Sequence, residues 1–241
     1  MAHVARYLIA FSAATLAMAA CGQAEAPDDS SSEASRASLI KSLASVPLYE
    51  TTQCSTDPLG APKAGDMLDW RLLKGTGDLD MSSLRRQRIK AVTGDTVDYD
   101  EILEMSAHGA FPAEARAVRF GILPTRLMEA SVRYDGASEA IAGLTPGMTV
   151  SIPFHLSRAG STLSAVAQVT LVNCGVSTAA ITGAPGEAVV VYRLVMPYST
   201  TLEPNALSQT IDSEYVVSRA RGWPIADTTA SGTFVLVPRT G

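Results

Sequence analysis

Little in this chain of 241 residues suggests metal or thiol chemistry. It holds three cysteines and three histidines, with no Cys-x-x-Cys and no His-x-x-x-His spacing, so the usual zinc frameworks are missing. Acidic runs such as Asp78-Leu79-Asp80 and Asp98-Tyr99-Asp100-Glu101 do not follow EF-hand spacing. They read as solvated turns, and neither a metal nor a cofactor is expected. No Gly-x-Ser-x-Gly elbow and no phosphate-binding glycine loop occurs. The chain is short of positive charge, with a formal net charge of −5. That balance disfavours nucleic acid and broad adsorption to anionic surfaces. Helical periodicity is scarce. Two short helices are expected. One is capped by Ser38 and runs through Leu39, Ile40, Leu43 and Val46 to Pro47. The other runs from near Pro112 through Glu114, Ala115 and Val118 to Gly121.

A long apolar run is also missing. Tyr7 to Ala20 spans only about fourteen residues behind Arg6, where a bilayer core needs about 20. Its length, basic flank and small residues suit a secretory signal. The junction Met18-Ala19-Ala20-Cys21 resembles the lipobox of bacterial lipoproteins. That resemblance covers residues 1–21. It implies cleavage before Cys21, acylation of Cys21, and attachment through several acyl chains, since one chain alone binds only marginally. Met18 stands where the family usually has Leu. The alternative is an ordinary signal cut after Ala20 that leaves Cys21 as a thiol. Gly22 replaces the Asp that favours inner-membrane retention in Gram-negative lipoproteins, so the resemblance implies the outer membrane, with the domain facing the periplasm. Residues 21–38 are rich in Ser, Ala, Asp and Glu and read as a disordered tether. Residues 39–241 then form a β-rich soluble domain.

Strand signals fill that domain. Leu68, Trp70 and Leu72 alternate with Asp69 and Arg71. Val97 and Tyr99 alternate with acids. Ala130, Val132 and Tyr134 precede an Asp135-Gly136 turn. Met148, Val150, Ile152 and Phe154 follow Pro146-Gly147. Leu163, Ala165, Ala167, Val169 and Leu171 share a face. Ala188 to Met196 is almost continuously apolar, so both of its faces are expected to be covered. Tyr215–Val217 and Phe234–Val237 follow. The fold class is mainly β: an antiparallel curved sheet, half-barrel or sandwich with one or two short helices. Two pairs of segments raise a duplication into subdomains 39–140 and 141–241. Lys63–Leu73 pairs with Thr145–Leu156, and Ala91–Asp100 with Ala180–Arg193. The alternative is that Thr-Gly between strands is ordinary hairpin chemistry.

Once Cys21 is assigned to lipid, Cys54 and Cys174 remain. In an oxidising compartment an even pair reads as a disulfide. Its rivals are two buried thiols, or a catalytic Cys174 with His155 as its base. Ser38-Leu39-Ile40-Lys41 and Arg239-Thr240-Gly241 match fragments of penicillin-interacting enzymes, but their context and the missing Ser-Asp-Asn break that resemblance. Arg85, Arg86, Arg88 and Lys90 form the basic cluster. On a strand, Arg86, Arg88 and Lys90 share a face, a candidate site for an anionic ligand. The alternative is a solvated face that discourages edge pairing. Ser213–Asp227 loosely resembles the C-terminal strand pair of some bacterial envelope proteins, with Tyr215 and Trp223 as aromatic anchors or as ligand contacts. No nucleophile–base pair is legible. A non-catalytic binding or assembly module, partnered by another envelope protein, leads. A carrier of a lipid or other apolar ligand comes second and an envelope hydrolase last.

Overall fold

The computed structural model describes residues 47–94, 96–105, 109–118, 121–127, 130–198 and 209–239. The expected helix at Ser38–Val46 and the tether lie outside them. The strands are β1 Tyr49–Thr52, β2 Met67–Leu73, β3 Leu79–Thr93, β4 Thr96–Met105, β5 Gly109–Val118, β6 Leu123–Pro124 and β7 Arg126–Leu127. They continue as β8 Ala130–Tyr134, β9 Thr149–Arg158, β10 Ser161–Ser177, β11 Ala188–Tyr198, β12 Gln209–Ser218, β13 Trp223–Thr229 and β14 Gly232–Val237. One helix, α1, Ala137–Ala142, lies between β8 and β9. The fold is therefore mainly β and antiparallel, as its alternating runs predict.

The expected helix at Pro112–Val118 is instead β5, paired with β4 from Thr96↔Val118 to Met105↔Gly109. Ala113, Ala115 and Ala117 alternate with Glu114 and Arg116, a period of two that long-range pairing turns into a strand. Pro112 is tolerated because the other edge of β5 pairs only at Ala117 and Val118. The Asp135-Gly136 turn does form, and it starts α1: Gly136 (φ 66°) is the N-cap.

The ladder runs β6-β5-β4-β3-β2-β14-β13-β12-β11-β10-β9-β8-β7, with β1 added to β10. Its two ends are consecutive in the chain, separated only by Thr125. The sheet thus curls almost fully round and stays unpaired between β6 and β7. The central strands have both faces covered. Val190, Tyr192, Leu194 and Met196 of β11 enter one apolar core, with Phe154, Leu156, Val169 and Ile141. Val189 and Val191 enter a second, with Trp70, Ile89, Trp223, Ile225 and Val235.

Several turns, bulges and pairings recur between the first and second parts of the chain. Asp66 N–H donates to Lys63 O, closing a turn with Gly65 at φ 95°. Met148 N–H donates to Thr145 O, closing one with Gly147 at φ 83°. A type II turn needs that positive φ, which glycine supplies without strain. Gly65 and Asp66 then bracket Ile89 of β3 by two backbone bonds, and Gly147 and Met148 bracket Leu171 of β10 in the same way. Both strands bulge at that point, between Ile89 and Ala91 and between Leu171 and Asn173. The pairings Trp70↔Arg85, Asp69↔Arg86 and Leu68↔Gln87 recur as Ile152↔Ala167, Ser151↔Gln168 and Val150↔Val169 at one constant displacement along the chain. The hairpins Val118↔Leu123 and Ala117↔Pro124 recur as Ser218↔Trp223 and Val217↔Pro224. Each half also lends its last strand to the other, since β14 pairs with β2 and β8 with β9.

Cys54 and Cys174 are joined by a disulfide, Cα–Cα 5.0 Å. It clamps the segment after β1 to β10, where Thr52 lies opposite Cys174. A thiol in that bridge is not a nucleophile, so the catalytic alternative for Cys174 falls.

Candidate functional site

The strand β3 sorts its basic residues by parity. Arg86 and Arg88 point to one side. Arg85 and Gln87 point to the other, in phase with buried Ile89. On the outer side Arg86 donates to both oxygens of Asp69 (2.8 and 2.9 Å), and Lys90 lies 3.3 Å from Asp100. Arg88 is exposed opposite Asp100 and Met67. An anion approaching Arg86, Arg88 and Lys90 must therefore compete with carboxylates already beside two of them.

The inner side carries a different chemistry. Trp70, Arg85, Gln87, Tyr99, Glu101, Tyr215, Trp223 and Asp227 line a cleft of about 190 Å³, together with Gly121, Pro124 and Pro224. The register explains the gathering. Trp70 faces Arg85 across β2 and β3, and Gln87 faces Glu101 across β3 and β4. Asp227 faces Tyr215 on β12 and Phe234 on β14. Arg85 Nη2 donates to Asp227 Oδ2 at 2.6 Å. The guanidinium lies 4.4 Å from the Trp70 ring centre and 4.7 Å from that of Phe234, a cation held between two π faces. Gln87 donates to Glu101 (2.7 Å) and accepts from Trp223 Nε1 (3.1 Å), which fixes the amide's orientation. Tyr99 meets Trp223 edge to face at 5.4 Å.

Burial alone would push the Arg85 pKa down, but Asp227 and Glu101 outweigh it and hold the guanidinium charged. Burial pushes the Tyr215 phenol up to about 12 and the Tyr99 phenol higher still, so both remain neutral donors. Three buried polar atoms of residues that line this cleft have no hydrogen-bond partner: Trp70 Nε1, Arg85 Nε and Asp227 Oδ1. Trp70 is 1% exposed and Asp227 8%. Such groups are rare in native structures, and each costs about 1–3 kcal/mol.

The repeat supplies a control. The positions equivalent to Trp70, Arg85 and Gln87 are Ile152, Ala167 and Val169, all buried in a solid apolar core. The scaffold therefore accepts apolar side chains at these three positions, and Trp70, Arg85 and Gln87 are polar where their counterparts are not.

A second constellation lies on the open face of β9 and β10. The His155 ring is 3.0 Å from Asp135 Oδ2 through Nε2 and 2.9 Å from Ser164 Oγ through Nδ1. The residue types are those of a serine hydrolase triad, and the sequence alone did not reveal them. The signal was there: the Ala159-Gly160 turn sets the hairpin register, and that register puts Ser164 opposite His155. Acyl transfer also needs donors aimed at an oxyanion. Here the serine stands exposed on a sheet whose ladder is continuous from Arg158↔Ser161 to Thr149↔Thr170, so the nearby backbone is committed to pairing. The trio ties the turn after β8 to β9 and β10.

Tyr215 and Trp223 act both as anchors and as walls. Trp223 is buried in the second core while its indole edge lines the cleft.

No family matches this chain, and no curated protein matches it. Among solved structures, a Bacteroides fragilis protein described as exported and as having a YmcC-like fold aligns with a TM-score of 0.40 and 10% identity. The alignment covers 76% of this chain and 99% of that one. So loose a likeness carries no inference about function.

Proposed function

We propose that this is an exported, lipid-anchored envelope protein that holds a ligand or partner rather than converting one, with the Arg85 cleft as its binding site. The observation that carries the reading is the contrast between the halves: one scaffold position packed with Ile152, Ala167 and Val169, its counterpart lined by Trp70, Arg85 and Gln87 with polar atoms unmet. The Cys54–Cys174 bridge fits an oxidising compartment. The Met18-Ala19-Ala20-Cys21 junction supplies the anchor at Cys21, and Gly22 favours the outer membrane with the domain in the periplasm. The lipid-carrier alternative asks for an apolar cavity. Residues such as Phe154, Leu194, Met196, Ile181 and Val235 instead fill both cores with almost no exposure.

The test has two arms. In detergent-phase partitioning of bacterial envelopes, the wild-type chain should enter the detergent phase and Cys21→Ala should stay in the aqueous phase. Equal partitioning would overturn the anchor. In the second arm the purified chain is offered chromogenic ester, peptide and glycan substrates. Saturable turnover, lost in Ser164→Ala or Asp227→Asn, would overturn the holding role.

A further inference from the structure

We infer that the cleft between β2, β3, β4 and β13 recognises a small neutral polyol, a sugar-sized ring or chain end carrying adjacent hydroxyl groups. This deepens the holding role by naming the ligand's chemistry. The unmet atoms define it. Trp70 Nε1 and Arg85 Nε are donors, and Asp227 Oδ1 is an acceptor. A hydroxyl offers one donor and two acceptor lone pairs, so neighbouring hydroxyls answer all three atoms. A carboxylate offers acceptors only and would face Asp227 as a like charge. An ammonium offers donors only and would leave both N–H groups unmet.

Charge points the same way. Arg85 is neutralised by Asp227 at 2.6 Å, with Glu101 adding a further carboxylate, so the cleft has no net positive charge to draw an anion. Tyr99 and Tyr215, which also line it, are held neutral by burial and add no charge. The aromatic residues Trp70, Trp223 and Tyr99 give the lining an apolar component beside its polar groups. A volume of about 190 Å³ lies below the roughly 300–1,000 Å³ of pockets for drug-sized ligands, which suits a single small ring. Carboxylate, amide, guanidinium and aromatic walls in one small concavity also match the general make-up of a specific ligand site: few polar groups, convergent and fixed by their neighbours.

The chain contains two tryptophans, Trp70 and Trp223, and both line this cleft. Intrinsic fluorescence of the full mature chain therefore reports its occupancy without background. The probes are myo-inositol, D-glucose and D-galactose, with acetate, tetramethylammonium and N-methylacetamide as comparisons. The expected result is a saturable change with at least one polyol and none with the ions. Trp70→Phe keeps the ring and removes the unmet donor. It should weaken that polyol at least about fivefold, read through Trp223, in a chain that still unfolds cooperatively in urea at a midpoint lowered by the lost core volume. A purely structural Trp70 would leave affinity untouched, and that result overturns the inference. So does a response that fails to saturate with all three polyols. Saturation by N-methylacetamide or an ion alone would overturn the polyol while keeping the cleft as a binding site. Failure of the holding role itself would show as turnover in the substrate assays, a separate readout.

Discussion

Removing the positive charge at Arg85 should be among the costliest single changes in the molecule. Its guanidinium is 15% exposed and the Asp227 carboxylate 10%, with 2.6 Å between them. Arg85→Met keeps an unbranched chain between Trp70 and Phe234 but leaves Asp227 with both oxygens unpaired, since Oδ1 already lacks a partner. Breaking one side of a buried pair costs about 3–5 kcal/mol. The reciprocal change, Asp227→Leu, should cost less, about 2–3 kcal/mol. Arg85 keeps its two π faces, each worth on the order of 1 kcal/mol when partly desolvated, and the nearby Glu101 field. The double variant replaces a desolvated pair by apolar groups and should come within about 1 kcal/mol of wild type.

Urea and thermal denaturation followed by tryptophan fluorescence would measure the cycle. For a domain of this size about 1 kcal/mol moves Tm by about 2–4 °C. Arg85→Met should therefore lower Tm by about 6–20 °C and the double variant by less than about 4 °C. If Arg85→Met melts with the wild type, or the double variant loses the sum of the two singles, the pair is not a desolvated, mutually dependent unit and the reasoning fails.

The Cys54–Cys174 bridge closes a loop of 120 residues, for which chain entropy gives about 5 kcal/mol as an upper value. Cys54→Ser with Cys174→Ser should lower the urea midpoint sharply, and reduction should reproduce that shift; a midpoint insensitive to both would refute it. Glu214 is held above the usual carboxylate range, first by burial and then by Asp212, with Arg193 pulling the other way. A raised native pKa means that the ionised form costs stability above it, and that this cost disappears as pH falls through it toward the unfolded value of about 4.3. Glu214→Gln should thus raise Tm at pH 7 and lose that advantage near pH 4; a gain that grows on acidification would be the wrong sign. Glu187 behaves oppositely. Burial raises it, but hydrogen bonds from Arg221 and Ser218 outweigh that and lower its pKa. Its contribution is present at neutral pH and is lost as pH falls through its depressed pKa, so Glu187→Gln should destabilise at pH 7 and converge with wild type in strong acid.

Much of the sheet was legible because half-buried strands write their phase into the sequence. Leu68, Trp70 and Leu72 set β2, and the almost continuously apolar run at Ala188–Met196 foretold β11 with both faces covered. The type II turns at Gly65 and Gly147 were visible as matched Gly-then-alternation segments. At Pro112 the reading failed because a proline and a few small residues suggested a helix start, while the alternation that pairs with β4 went uncounted. The site failed for a related reason. Arg85 was read as one member of a basic cluster. Phase with Ile89 separates it from Arg86 and Arg88, and that parity was available from β3 alone. Its partner Asp227 was not, because a contact 142 residues apart depends on β14 returning to β2.

That return gives the repeat its functional meaning. Each half completes its sheet with the other's last strand, so the two are equivalent in backbone yet free to differ in what they enclose. The half built on β9 and β10 encloses Ile152, Ala167 and Val169, which need no partners. Around β2 and β3 the corresponding positions are Trp70, Arg85 and Gln87, and Arg85 and Gln87 reach across to Asp227 and Trp223 of β13, in an ion pair and an amide relay that leave three polar atoms of Trp70, Arg85 and Asp227 unmet. Both satisfy the same register, so folding does not require the second arrangement. It carries a desolvation cost of about 1–3 kcal/mol for each unmet group that the first avoids. Local inconsistency of this kind, in a chain whose turns, bulges and pairing otherwise agree with one another, is the mark of a site shaped for something other than stability. The cleft of Trp70, Arg85 and Asp227 is therefore where the two matching stretches of strand differ most in what they enclose.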